Sequence, residues 1–241
     1  MASSLIAGLP SALRVFAPQR GVVTAINDLA PRLRAVTVEG PGLRALGDFT
    51  PGQQVSVLAT GSWPAGGRHY SPRTFDRQAG RLELYAYLHG NGPGSALFAG
   101  LEVGDELSLW GPGGGFRLTP GPSQHVLLGD ETNLGCFASM IDHAPAGTSI
   151  IGALDVVDAQ HGGICQAAGL ELETVVRPTD APPEHALLRW LETRTFADDA
   201  VFYLAGRVGT IQALRVALRA RGVDISRLRP KGFWAEGRAA L

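Results

Sequence analysis

The segment TPGPSQHVLLGDETNLG, residues 119–135, divides the chain into two grammars. Its Pro- and Gly-rich opening, residues 119–123, reads as a turn. HVLLGD, residues 125–130, is the unbroken apolar run of a strand covered on both faces, and NLGCFASMIDHA, residues 133–144, follows as a helix. Beyond it TSIIGALDVV and AVFYLAG repeat the buried-strand pattern. PPEHALLRWLETR and VGTIQALRVALRARG supply helices, the second with apolar residues three and four apart up to a stop at Gly222. Strand alternating with helix predicts parallel pairing and a doubly wound α/β sheet.

Upstream of that segment, from Arg20 to about Leu118, the pattern is different. VVTAINDL, LRAVTVEG, QQVSVLAT, RLELYAYLH and DELSLWG are short alternating or β-branched runs separated by Gly, Pro and Asp, which predicts an antiparallel β-barrel or sandwich. Only GSALFAGL, residues 94–101, reads as a brief helix there. The expected organisation is therefore a two-domain chain with a boundary near residue 120: a β-barrel over 1–120 and an α/β domain with a C-terminal tail over 121–241. In such α/β sheets ligands sit outside the carboxyl ends of the strands, here LLGDET, ALDVVD and YLAGR.

The totals bound the function. A formal net charge of −1 provides no basic field for nucleic acid, and no Lys/Arg stripe is interleaved with aromatics. No apolar run reaches the ~20 residues needed to span a bilayer. MASSLIAGLPSALRVFAP, residues 1–18, lacks a charged start and is interrupted by Pro10, so it is expected to be a helical lead-in rather than a signal peptide. Cys136 and Cys165 match neither a CxxC nor a zinc spacing, which predicts two free thiols in a cytoplasmic protein without a metal site. Any anion must be held locally. The basic residues are nearly all arginine, whose planar fork suits phosphate and carboxylate; Lys231 is the only lysine.

Three stretches carry candidate chemistry. In GGRHYSPRTFD, residues 66–76, Arg68, His69, Tyr70, Ser71, Pro72 and Arg73 crowd between strand-like segments. A flavin dinucleotide presents a pyrophosphate and a flat, electron-poor ring. Arg68 offers a forked cation to the first, Tyr70 an aromatic face to the second and Ser71 a small hydrogen-bonding group, with Arg73 as a further phosphate contact. A surface hairpin with two arginines and a half-buried tyrosine fits the same letters. In HGNGPGS, residues 89–95, Gly90, Gly92 and Gly94 allow close backbone approach, and Ser95 is a candidate N-cap of a helix whose free N–H groups face an anion. A plain glycine-rich loop fits equally. In LLGDETNLG, residues 127–135, Asp130 and Glu131 serve either as acceptors for ribose or carboxamide groups or as a helix cap and first-turn acid. The GxGxxG fingerprint is absent.

Taken together, RHYSPRTFD, LHGNGPGSALFAG, GDELSLWGPGGGF, LLGDETNL, FYLAGR and KGFWAEGR, in that order, resemble the siderophore-interacting protein family, a branch of the ferredoxin reductase-like flavoenzymes. The resemblance spans nearly the whole chain from about residue 20. It implies an FAD-binding antiparallel β-barrel, a C-terminal NAD(P)H-binding domain, and cytoplasmic reduction of a ferric siderophore, or of another small-molecule acceptor, by a monomer or weak dimer. Its R-x-Y-[ST] motif assigns Arg68, Tyr70 and Ser71 to the flavin, and its H-G loop assigns His89, Gly90, Gly92 and Ser95 to the flavin phosphates. Asp130, Glu131 and Thr132 fall to the nicotinamide domain, with NADPH or NADH as donor. Lys231, Trp234 and Arg238 fall to the acceptor side or to the cover of the flavin. A nucleophile or acid–base pair is not expected, because the flavin carries the chemistry.

The chain departs from the family pattern in places. Its H-G loop is one residue shorter than H-G-x-x-G-P, Leu97-Phe98 replaces a common tryptophan, and NLGCF follows G-D-E-T where A-L-P-A is usual. After Ala205-Gly206, Arg207 replaces a glutamate, which implies either a seat for the 2′-phosphate of NADPH or a member that has lost nicotinamide use. The alternatives are a flavoreductase acting on a quinone, free flavin or redox partner, and a flavin- or siderophore-binding protein without turnover.

Overall fold

The computed structural model describes residues 17–237; the N-terminal lead-in and Arg238 lie outside the described residues. Seven strands form an antiparallel sheet: β1 (Gln19–Ala30), β2 (Leu33–Glu39), β3 (Gln54–Leu58), β4 (Gly67–Tyr70), β5 (Pro72–Asp76), β6 (Arg81–Tyr87) and β7 (Glu106–Gly113). Their order is β4-β3-β7-β1-β2-β6-β5. The strands at the two ends of that order are joined in the chain by Ser71 alone, so the sheet must curl until its ends meet. It closes round a core that includes Val36, Val55, Leu82, Leu84 and Leu109. Helix α1 (Pro93–Gly100) plugs this barrel with the fully buried Phe98.

Five parallel strands follow: β8 (Gln124–Asp130), β9 (Ser149–Val156), β10 (Glu173–Val176), β11 (Val201–Arg207) and β12 (Leu228–Trp234), in the order β10-β9-β8-β11-β12. The crossovers carry α2 (Leu134–Asp142), α3 (Ile164–Ala167), α4 (His185–Glu192) and α5 (Val208–Ala220). The alternation of side chains along β8 explains the layering. Leu127 faces α2 and the barrel together with Phe137, Leu154 and Tyr203, whereas Val126 and Leu128 face α4 and α5 with Leu187, Leu214 and Leu218. Each such leucine contributes roughly 2 kcal/mol when fully buried.

The expected fold class, an antiparallel barrel followed by a doubly wound parallel sheet, is what the chain forms. The chain forms four strands more than its sequence pattern predicts. β4 and β5 fall inside the crowded stretch around Ser71, and β10 and β12 are half-buried edge strands with little apolar signal. Among the described residues no helix is long and apolar enough to cross a membrane.

Candidate functional site

A cleft of about 560 Å³ opens where the barrel meets the carboxyl edge of the parallel sheet. From the barrel it is lined by Arg68, His69, Tyr70, Ser71, Tyr85, Tyr87, His89 and the first residues of α1; from the sheet by Thr132, Lys231, Phe233 and Trp234. Among the described residues no Asp or Glu lines it.

β4 sets out the first wall by strand alternation. Arg68 and Tyr70 share a face, where the Tyr70 ring packs on Phe98 at 4.4 Å between centroids. A Cβ on Gly94 would lie 2.5 Å from the Tyr70 hydroxyl, so only glycine lets α1 come this close. Burial drives the Tyr70 phenol far above its ordinary range, against the pull of Arg68; the ring is a neutral face at any physiological pH. His69 lies opposite Ser56 of β3, whose hydroxyl meets its Nδ1 at 2.8 Å. Its pKa is lowered by desolvation first, then by Lys231 and Arg68. The hydroxyl of Ser71 is enclosed and lacks a well-formed hydrogen bond, with the Cys136 thiol beside it.

The second wall is the entry to α1. Gly92, not Ser95, is the N-cap, and it has no side chain to cap with. The Ser95 hydroxyl turns back to donate to the His89 carbonyl at 3.0 Å. The backbone N–H groups at the start of α1 are therefore left for a ligand. The Arg68 guanidinium rests on the carbonyls of Ala65 and Gly67 and has no acidic partner among the described residues. Gly90 stands at the exposed turn of this loop with φ of 67° and does not line the cleft.

The third wall belongs to β12. Trp234 lies against His89, centroids 5.2 Å apart, and its Nε1 donates to Asp130 Oδ2 at 2.8 Å. Desolvation lowers the His89 pKa, with Asp130 opposing. Lys231 has no acidic partner among the described residues.

Several expected site residues are committed elsewhere. Asp130 caps the turn that starts α2, its Oδ1 accepting from Thr132 N and Thr132 Oγ1 and its Oδ2 from Trp234 Nε1 and Arg207 N, so both lone-pair directions of each oxygen are taken. Glu131 is buried, accepts from Val157 N at 2.7 Å and meets His161 Nδ1 at 3.0 Å; burial raises its pKa. Arg73 pairs with Asp142 of α2 and stays out of the cleft. Gly206 lies beneath Asp130, and Arg207 pairs with Glu236 at 3.0 Å and Glu184 at 3.7 Å instead of standing free for a phosphate.

Other lining residues escaped the sequence reading. Trp63 and Trp110 stack at 4.6 Å and form a shelf in the cleft. Tyr85 and Tyr87 alternate with buried Leu84 and Ala86 along β6 and so face outward into it. The period-two pattern in RLELYAYLH contained that signal; nothing local links Trp63 to Trp110.

Residues 59–116 match the family model of the siderophore-interacting FAD-binding domain, and residues 122–237 match that of the siderophore-interacting protein. A siderophore utilization protein from T. fusca shares the fold with a TM-score of 0.77 and 25% identity, covering 93% of this chain and 95% of that one. The ferric vibriobactin reductase ViuB of Vibrio cholerae is 25% identical over 157 residues, which is 63% of this chain and 58% of that protein. NADH-cytochrome b5 reductase 1 of Laccaria bicolor is 31% identical over 100 residues, 42% of this chain and 32% of the relative. The chain thus spans less than two thirds of either curated relative.

Proposed function

The chain belongs to the siderophore-interacting protein family, and from that premise we propose that it is an FAD-dependent oxidoreductase passing electrons from NADPH or NADH to a ferric siderophore, with iron leaving as Fe(II). One observation carries the reading: a cleft walled by aromatic rings, with no carboxylate among the described residues that line it, an uncapped helix start at one side and a lysine from the other sheet.

The residues present fit FAD. The enclosed hydroxyl of Ser71 lacks a good partner, and Gly94 keeps the α1 backbone open beside Tyr70. Arg68 and the backbone N–H groups of Gly94 and Ser95 hold the pyrophosphate. Tyr70 and Trp234 supply apolar faces, and Ser71 supplies a hydrogen bond at the ring edge. When bound, FAD supplies the conversion of a two-electron hydride into the single electrons that ferric iron accepts. Lys231, with His69 beside it, attracts an anionic chelate, and among the described residues no acidic side chain lines the cleft.

The reading is tested on one purified sample reconstituted with FAD under anaerobic conditions. NADPH or NADH should bleach the flavin absorbance, and a ferric siderophore should restore it. A protein that takes up no FAD overturns the reading. Bleaching that no ferric siderophore reverses, while a quinone does, replaces the acceptor.

A further inference from the structure

Trp63 and Trp110 form an aromatic wall of the cleft that the flavin contacts leave unused. The two faces of β4 separate the roles. Arg68 and Tyr70 point to the α1 side, where a Cβ on Gly94 would meet both of them and Tyr70 joins the barrel core. Gly67 and His69 share the opposite face with Ser56 of β3 and Trp110 of β7; His69, Ser56 and Trp110 stand in line across the three strands. Ser71, assigned to the redox edge of the ring, directly follows β4, so an acceptor on this second face stands next to that edge.

The wall is rigid before any ligand arrives. Trp110 is only 7% exposed, and Trp63 stacks on it at 4.6 Å with 16° between the ring planes. The loop that carries Trp63 is closed by Ala59 N to Gly66 O at 2.9 Å, Gly66 N to Ser62 O at 2.8 Å and Gly67 N to Pro64 O at 3.0 Å. Gly67 is the seat of the indole, since a Cβ there would lie 2.5 Å from Trp63 Cζ3. An indole held in this way loses little freedom when a ring stacks on it. Lys231 brings its charge to the same wall, where it acts on His69.

We infer that this wall selects the acceptor by its aryl rings: Trp63 stacks a ring whose oxygens bind the iron, while Lys231 takes the negative charge of the chelate. Catecholate chelates are therefore preferred to carboxylate chelates, which offer no ring. The inference rests on the siderophore reading above and narrows it to a substrate class. A catecholate ring drained of electron density by a trivalent metal suits the electron-rich face of an indole.

Gallium(III) in place of iron keeps the charge of the chelate and is not reduced, so binding is read without turnover. The FAD-loaded protein is titrated calorimetrically with the gallium complex of a tris-catecholamide and with gallium citrate, both anionic. The catecholamide should bind about tenfold more tightly or better. Trp63→Leu should weaken it by about tenfold and leave gallium citrate and retained FAD unchanged; Trp63→Phe should restore most of the loss. Lys231→Met should weaken both chelates alike. Equal affinities in the unmodified protein overturn the inference and need no variant to fold. A Trp63→Leu protein that loses its FAD also overturns it, because the wall then belongs to the cofactor. If a ferric siderophore still restores the flavin absorbance after either result, the siderophore reading stands alone; if neither chelate binds and no ferric siderophore restores it, both fall.

Discussion

Asp130 shows how a residue read as a cofactor contact becomes a joint of the fold. One carboxylate oxygen caps the turn into α2, and the other ties Arg207 N of β11 and the Trp234 indole of β12 to the end of β8. Gly206 makes the joint possible. Its φ is +96°, and a Cβ there would lie 2.3 Å from Asp130 Oδ2. Gly206→Ala should therefore cost roughly 2–3 kcal/mol, from a strained backbone and a displaced carboxylate. The same displacement releases Trp234 from its hydrogen bond and from His89. A lowered melting temperature together with a changed tryptophan emission is the expected result. A lowered melting temperature with unchanged emission would place the strain elsewhere.

At the scale of elements, β11 holds the connection between the sheets. Tyr203 is fully buried, and its hydroxyl accepts from Thr119 N at 2.7 Å, so its own proton goes to His125 Nδ1 at 3.1 Å. His125 must then be neutral at Nδ1, in keeping with burial lowering its pKa against the pull of Asp199. Tyr203→Phe leaves one donor and one acceptor unpaired, which should cost about 1–3 kcal/mol; a calorimetric melt that does not move would remove this anchoring role. The apolar run of β11 was plain in the sequence, and so was β6 with its alternating Leu82, Leu84 and Ala86, because burial on fixed faces writes a period into the residues. β10 has four residues, none of them fully buried, and β12 buries only Leu228, so neither writes one. The site divides the same way. Arg68, Tyr70 and Ser71 stood out as an odd local composition, whereas the partners of Asp130 lie 77 and 104 residues along the chain and no spacing could disclose them.

For the whole molecule, a buried contact between His161 and Glu131 joins the barrel to the parallel sheet. His161 is fully buried, its Nε2 donates to the carbonyl of Pro31 at the β1–β2 turn, and its Nδ1 meets Glu131 Oε1. Tyr87 of the barrel covers the ring edge-on at 5.7 Å. With Nε2 committed as donor to a carbonyl, the contact at Nδ1 needs one more proton, carried either by the imidazole or by the carboxyl. Burial, with Asp130 adding, raises the Glu131 pKa against Val157 N and His161. The folded state therefore holds its proton more tightly than the unfolded chain. The stability this confers is complete at low pH, below the ordinary carboxyl range, and is lost as pH rises through the folded value. Glu131→Gln removes the titrating group: Val157 N and His161 Nδ1 both meet the one oxygen Oε1, so the amide keeps one of these two bonds and gives up the other at every pH. The variant should be the less stable protein at low pH, by about 1–3 kcal/mol for the one buried hydrogen bond left unmade, and the gap should narrow between pH 5 and 9 as the parent loses its proton. Calorimetric melts of the two proteins across that range measure the difference. A constant gap would mean that the sheets are docked by apolar contact alone, with the Glu131–His161 proton a passenger.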